Sequence, residues 1–162
     1  MGDAWAMPID LTAPLELALP DAAATARLGA ALAAILRPGD AVFLSGPLGA
    51  GKTELARGLI RALAGAEEEV PSPTFTLVQL YDTPALALSH LDLYRLEDPS
   101  EADELGLDEA LAVGAAVIEW PERLGPGAWP ADRLSIVIRV EGTGRIARLE
   151  PHGALRGRRL EY

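Results

Sequence analysis

Residues 41–53 read Ala41-Val42-Phe43-Leu44-Ser45-Gly46-Pro47-Leu48-Gly49-Ala50-Gly51-Lys52-Thr53. The first four form a short continuous apolar run, the pattern of a strand buried on both faces. The last eight fit Gly-x-x-x-x-Gly-Lys-Ser/Thr without a mismatch. Leu55, Leu59, Ile60 and Leu63 follow on one helical face, and Gly65 closes the helix. Strand, glycine loop and helix in this order hold a nucleotide phosphate. The glycines let backbone N–H groups curl around phosphate oxygens without Cβ clashes. The helix start turns its positive dipole end toward the anion. Lys52 supplies a compact charge for the β/γ-phosphates, and the Thr53 hydroxyl suits Mg²⁺. Gly46, Pro47, Leu48, Gly49, Ala50, Gly51, Lys52, Thr53 and Glu54 are therefore the candidate nucleotide contacts.

The composition sharpens this reading. The chain has 162 residues, with Lys+Arg 14, Asp+Glu 24 and a net charge of −10. Thirteen of the basic residues are Arg; Lys52 is the only lysine. Given one lysine, chance would build this motif around it in roughly 7 shuffles in 10,000. A lone lysine already used by the phosphate loop leaves none for the Asn-Lys-x-Asp motif that reads guanine, so ATP is the expected nucleotide. Cysteine is absent, which excludes disulfides, thiolate metal sites and cysteine nucleophiles. Only His90 and His152 occur, too few for a His-rich metal centre. The acidity argues against a broad nucleic-acid-binding surface.

A phosphate-loop enzyme needs an acid at the end of a neighbouring strand. Two candidates exist. Glu119 ends Ala115-Ala116-Val117-Ile118, and Asp92 ends Leu88-Ser89-His90-Leu91. Glu119 is preferred as the metal-shell ligand, Asp92 as the acid that orients a Mg²⁺-bound water or the nucleophile. Thr74 and Thr76 lie in a Pro-bracketed loop after the phosphate-loop helix, where switch-type NTPases place a γ-phosphate sensor. His90 is either a satisfied strand residue or a site residue. Trp120 is expected to pack in the core rather than cover the site.

Outward from the loop, Leu15, Leu17 and Leu19 alternate as a strand. Asp21 caps a helix that Arg37-Pro38-Gly39 stops. Residues 77–81 and 86–90 read as one hairpin, and 134–140 with 146–149 as another. Short helices are expected near 101–105 and 108–112. Residues 1–13 read as a flexible extension, 14–152 as one α/β domain, and 153–162 as a C-terminal tail, either loose or an edge strand.

Four blocks carry a family likeness: 44–53; Ser72-Pro73-Thr74-Phe75-Thr76-Leu77-Val78; His90-Leu91-Asp92-Leu93-Tyr94-Arg95-Leu96; and Ile118-Glu119-Trp120-Pro121-Glu122-Arg123. Over about residues 15–150 the chain resembles the bacterial TsaE (YjeE) family, P-loop ATPases of tRNA threonylcarbamoyladenosine biosynthesis. The resemblance implies a single-domain P-loop NTPase fold with a mixed, partly antiparallel sheet flanked by helices. It implies ATP and Mg²⁺ as cofactors, with Thr53 and Glu119 on the metal, Asp92 as the Walker-B-like acid, Ala22 near adenine, and Gly144 and Arg145 near the nucleotide. Lys52, Asp92, Thr74 and Glu119 are then the catalytic set. It also implies work with a TsaB–TsaD complex, through which tRNA would be met only indirectly. Two residues depart from the family pattern: Pro47 replaces an Asp, and Glu54 stands where many members have a second Thr.

ATP hydrolysis slow outside the complex is the expected activity. A nucleotide-switched binding module is the main alternative. A small-molecule kinase is less favoured, since Arg95 and Arg123 do not make an Arg-rich lid. Residues 97–122 hold nine acids and no Lys or Arg, a face expected to dock on a basic protein surface. No apolar run approaches the roughly 18–20 residues of a membrane span. A cytoplasmic protein, monomeric when isolated, is expected.

Overall fold

The computed structural model describes residues 7–73 and 76–162. The buried run becomes β3 (Ala41–Ser45), and the helix after the glycine loop is α2 (Lys52–Ala64). Before them come β1 (Pro8–Asp10), β2 (Leu15–Leu19) and α1 (Ala22–Ala33). After them come β4 (Val78–Asp82), β5 (Ala87–Asp92), α3 (Leu107–Val113) and β6 (Gly114–Glu119). The chain closes with β7 (Arg133–Glu141), β8 (Gly144–His152) and β9 (Arg159–Glu161).

Seven strands form one mixed sheet in the order β2-β8-β7-β3-β6-β5-β4. β3 runs parallel to β6 and β7, and β5 runs parallel to β6. Both expected hairpins are present as antiparallel pairs, β4 with β5 and β7 with β8. Successive side chains of a strand point to opposite faces, so β3 feeds two cores. Val42 and Leu44 join Leu28, Leu32, Leu55 and Leu59 of α1 and α2 on one side. Ala41 and Phe43 join Ile118, Leu107 and Leu124 on the other.

Asp21 caps α1 as expected, its Oδ1 accepting from Ala24 N at 2.8 Å. Glycines set the spacing of α1 and α2. A Cβ on Gly29 would collide with the Leu55 carbonyl oxygen, and one on Gly58 with that of Ala26. The two helices therefore meet backbone to backbone. The short helix expected near 101–105 is a 3₁₀ helix over Pro99–Leu105, with Asp98 accepting from Ser100 N.

The reading of residues 1–13 as a flexible extension gives way over residues 7–13, which hold β1, and of the two readings of 153–162 the structure has the strand, β9; residues 1–6 lie outside the described residues. β1 pairs antiparallel with β9, Ile9 opposite Leu160, and Leu11 and Leu160 are fully buried. Arg158 anchors the closing segment. Its guanidinium forms a buried ion pair with Asp40 and donates to Ile35 O at 3.0 Å. The apolar signal in each segment is too short to show a period, so only pairing between the two ends reveals the strands.

Candidate functional site

β3, β5 and β6 run parallel and end at one edge of the sheet. In open α/β sheets that carboxyl edge is where ligands sit. The residues placed there are the ones singled out from sequence. Ser45 leads into the glycine loop, Asp92 ends β5, and Glu119 ends β6 directly opposite Asp92 in register.

The loop needs its glycines for two separate reasons. Gly46, Gly49 and Gly51 all have positive φ, at 143°, 78° and 107°. Gly46 also passes so close to β7 that a Cβ would strike the Ile138 carbonyl. Gly51 is the residue before α2, so the first N–H groups of that helix open toward the loop. Pro47 sits in the loop without closing it, because proline removes only its own N–H.

Lys52 is folded back under the loop. Its Nζ donates to Gly46 O at 2.6 Å and to Pro47 O at 2.9 Å, and lies 4.4 Å from the centroid of the Trp120 ring. Burial pushes the Lys52 pKa below its ordinary value; the carboxylates of Glu119, Glu122 and Asp92 pull the other way.

The next residue begins a chain of hydrogen bonds into the core. Thr53 Oγ1 donates to Glu119 Oε1 at 2.9 Å. Glu119 Oε2 lies 2.7 Å from His90 Nε2. Glu119 is 2% exposed and His90 0%. A carboxylate oxygen only accepts, so Nε2 carries the hydrogen of this bond. Among the described residues Nδ1 has no partner. His90, a strand residue satisfied through Nε2, holds the far oxygen of the carboxylate whose near oxygen meets Thr53. Asp92 is also buried, and its Oδ1 accepts from Tyr94 N at 3.0 Å.

Lys52, Thr53, Asp92 and Glu119 border a cavity of about 390 Å³, with Leu48 and Trp120 also in its wall and His90 behind it. Trp120, expected in the core, does two jobs. It packs on the smaller core, and it stacks beside Tyr94 at 4.9 Å between ring centroids in the cavity wall. It does so from left-handed backbone, φ 60°, a conformation costly for an aromatic residue. Tyr94 and Ser72 also line this cavity and were not singled out from sequence. Glu122 was missed too; its Oε2 accepts from Ser45 Oγ at 3.0 Å.

A second cavity of about 210 Å³ lies along the glycine loop and contains Asp21, Ala22, Thr25, Thr143, Gly144 and Arg145. Gly49, Gly51 and Glu54 border both cavities, so the loop is their shared wall. Arg145 grips it, Nε donating to Ala50 O at 3.2 Å and Nη2 to Gly49 O at 3.3 Å. Ala22, Gly144 and Arg145 are therefore brought to the loop from α1 and β8. Glu54 pairs loosely with Arg57 at 3.9 Å. Arg95 and Arg123 line neither cavity; Arg123 Nη1 donates to Leu96 O at 3.4 Å. Thr74 lies outside the described residues. Among the described residues no helix is long and apolar enough to cross a membrane.

The donor set suits a hard cation bound mainly through phosphate oxygens and water. It is all oxygen, and the hydrogen of the Thr53 hydroxyl is committed to Glu119, which leaves oxygen lone pairs for a metal. Among the described residues no cluster of three or more His, Asp or Glu forms a cage by itself.

The model of the family "Threonylcarbamoyl adenosine biosynthesis protein TsaE" matches residues 19–147. The tRNA threonylcarbamoyladenosine biosynthesis protein TsaE of Rickettsia bellii is 46% identical over 98 residues, which is 60% of this chain and 68% of that protein. The protein of the same name in Rickettsia felis is 46% identical over 98 residues, and the match spans only 57% of its length. Among solved structures, YdiB of Bacillus subtilis superposes with a TM-score of 0.69 at 32% identity, covering 86% of each chain.

Proposed function

The chain belongs to the TsaE family of tRNA threonylcarbamoyladenosine biosynthesis, and from that footing we propose that it binds ATP with Mg²⁺ and hydrolyses it in support of a TsaB–TsaD complex. The observation that carries the reading is the linked set Lys52, Thr53, Glu119 and His90 at the carboxyl edge of the sheet.

In this reading the N–H groups of residues 49–53 receive phosphate oxygens, and Lys52 exchanges a loop carbonyl for the β/γ-phosphates. Adenine occupies the smaller cavity beside Ala22 and Gly144, and Arg145 keeps the loop from spreading. Thr53, with Asp92 and Glu119 behind it, would hold Mg²⁺, which when bound offsets negative charge on the phosphates. Glu119 keeps the Thr53 hydrogen turned away from the phosphates, and His90 keeps Glu119 from rotating. Asp92 orients the attacking water. No Arg lines the phosphate cavity among the described residues, which agrees with slow turnover until a partner supplies or orders the missing charge.

The test is single-turnover hydrolysis of ATP with and without TsaB–TsaD. Hydrolysis accelerated by the complex and coupled to modified tRNA supports the proposal; uncoupled hydrolysis favours a nucleotide switch. Lys52→Ala should abolish ATP binding. A lysine-acylating reagent has one side-chain target, and ATP·Mg²⁺ should protect it; an unchanged labelling rate refutes the site.

A further inference from the structure

One of the two edges of the main sheet is β4, which among the described residues pairs only with β5. Two hydrogen bonds beyond its ends set the parity of that pairing. Asp92 N donates to Leu77 O at 3.0 Å, and Thr83 N donates to Leu86 O at 3.3 Å. In an antiparallel ladder alternate residues turn both backbone groups to the partner. Residues 77, 79, 81 and 83 therefore face β5, and Val78, Leu80 and Asp82 turn their N–H and C=O groups to the open edge. The side chains of the same three residues border an apolar groove of about 410 Å³ between β4 and α3, closed by Leu107, Glu109 and Val113. Leu80 is 74% exposed and Val113 70%.

Sheet edges are normally blunted by Pro, Lys or a bulge. Val78–Asp82 has none of these. The surrounding charge is one-sided: from residue 78 to residue 122 the single basic residue is Arg95, against eleven acids.

We propose that this edge and groove form a docking site for an extended segment of a partner protein that alternates apolar with basic residues. The segment adds as an eighth strand on β4. Its apolar side chains enter the groove against Leu80 and Val113, and its Lys or Arg side chains alternate onto the opposite face beside Tyr81, on which the charge of Glu68 acts, drawn to the edge by the summed field of the surrounding acids. A second copy of this chain fits poorly, because pairing two such edges would bring together the acidic flanks of two chains that each carry −10.

The probe is a nine-residue peptide, Lys-Val-Arg-Val-Lys-Val-Arg-Val-Lys, added to the full chain, with amide hydrogen exchange read residue by residue. Saturable binding with at least tenfold slower exchange at the Val78, Leu80 and Asp82 amides is expected. The same peptide with Glu at every basic position should leave exchange unchanged. Leu80→Pro removes an outward N–H without removing a bond to β5 and should weaken binding at least tenfold; Leu80→Lys, which keeps the backbone donor, should do so by charge. ATP affinity should be unaffected in both. No binding, equal binding of the acidic peptide, or binding without protection of those amides overturns the proposal. So does self-association of the unaltered chain that Leu80→Lys abolishes, which would assign the edge to a second copy.

Discussion

At Lys52 burial and charge act in opposition. Burial lowers its pKa, while three nearby carboxylates favour the ammonium form. A bound polyphosphate adds further negative charge and raises the pKa again, so nucleotide binding takes up a proton between the free and bound values. ATP affinity should therefore fall as pH rises through that window, at lower pH than an ordinary lysine would dictate. Calorimetry in buffers of different ionisation enthalpy checks both the fall and the proton uptake. His90 permits a second test. His90→Leu leaves the buried Glu119 carboxylate with one partner fewer and should cost about 3 kcal/mol in urea unfolding, along with ATPase activity. His90→Gln, which can still donate an N–H, should recover part of both. The glycine loop was readable because its residues are consecutive. The bond from Thr53 to Glu119 spans 66 positions and that from His90 to Glu119 spans 29, so neither leaves a local trace. Trp120 was half legible for a related reason: its place against the smaller core follows from the buried strand beside it, but its contact with the Lys52 ammonium joins residues 68 positions apart.

Most elements followed from local pattern. The alternation in β2, the apolar runs of β3 and β6 and the helical spacing of α2 each repeat often enough to be recognised. What the pattern omits is distance between elements. Gly29 and Gly58 read as weak points in two helices. Packed together they are what allows α1 and α2 to touch. Gly29→Ala would improve helix propensity yet should destabilise the chain by about 2 kcal/mol, since an added methyl must push the helices apart. Urea midpoints of Gly29→Ala, with Gly39→Ala as a control for a positive-φ glycine in open space, separate close approach from backbone strain.

Across the whole molecule, charge is sorted along the chain. Residues 97–122 hold nine acids and no Lys or Arg, whereas residues 123–162 carry eight Arg against four acids. One of those Arg residues, Arg158, ties the final segment to the turn after α1 by way of Asp40, itself held by Arg37 N at 2.7 Å. Arg158→Met should cost about 3–5 kcal/mol because Asp40 stays buried and unpaired; replacing Asp40 by Leu as well should return much of that loss. Chemical denaturation of the two single variants and the double variant measures the coupling. This layer was only half legible in sequence: an edge strand was one reading of 153–162, but a three-residue strand acquires its place only from the distant strand it meets.

That meeting also determines how the chain would yield to force. Met7 N donates to Tyr162 O at 2.9 Å, and Tyr162 N returns a bond to Met7 O at 3.1 Å. Tension applied between these two residues loads the β1–β9 ladder from one end, so its bonds break in turn like the teeth of a zip rather than together in shear. The domain therefore has a mechanical fuse at its ends, one that can open at low tension and release Leu11 and Leu160 while the seven-stranded sheet carrying the candidate nucleotide site bears no load.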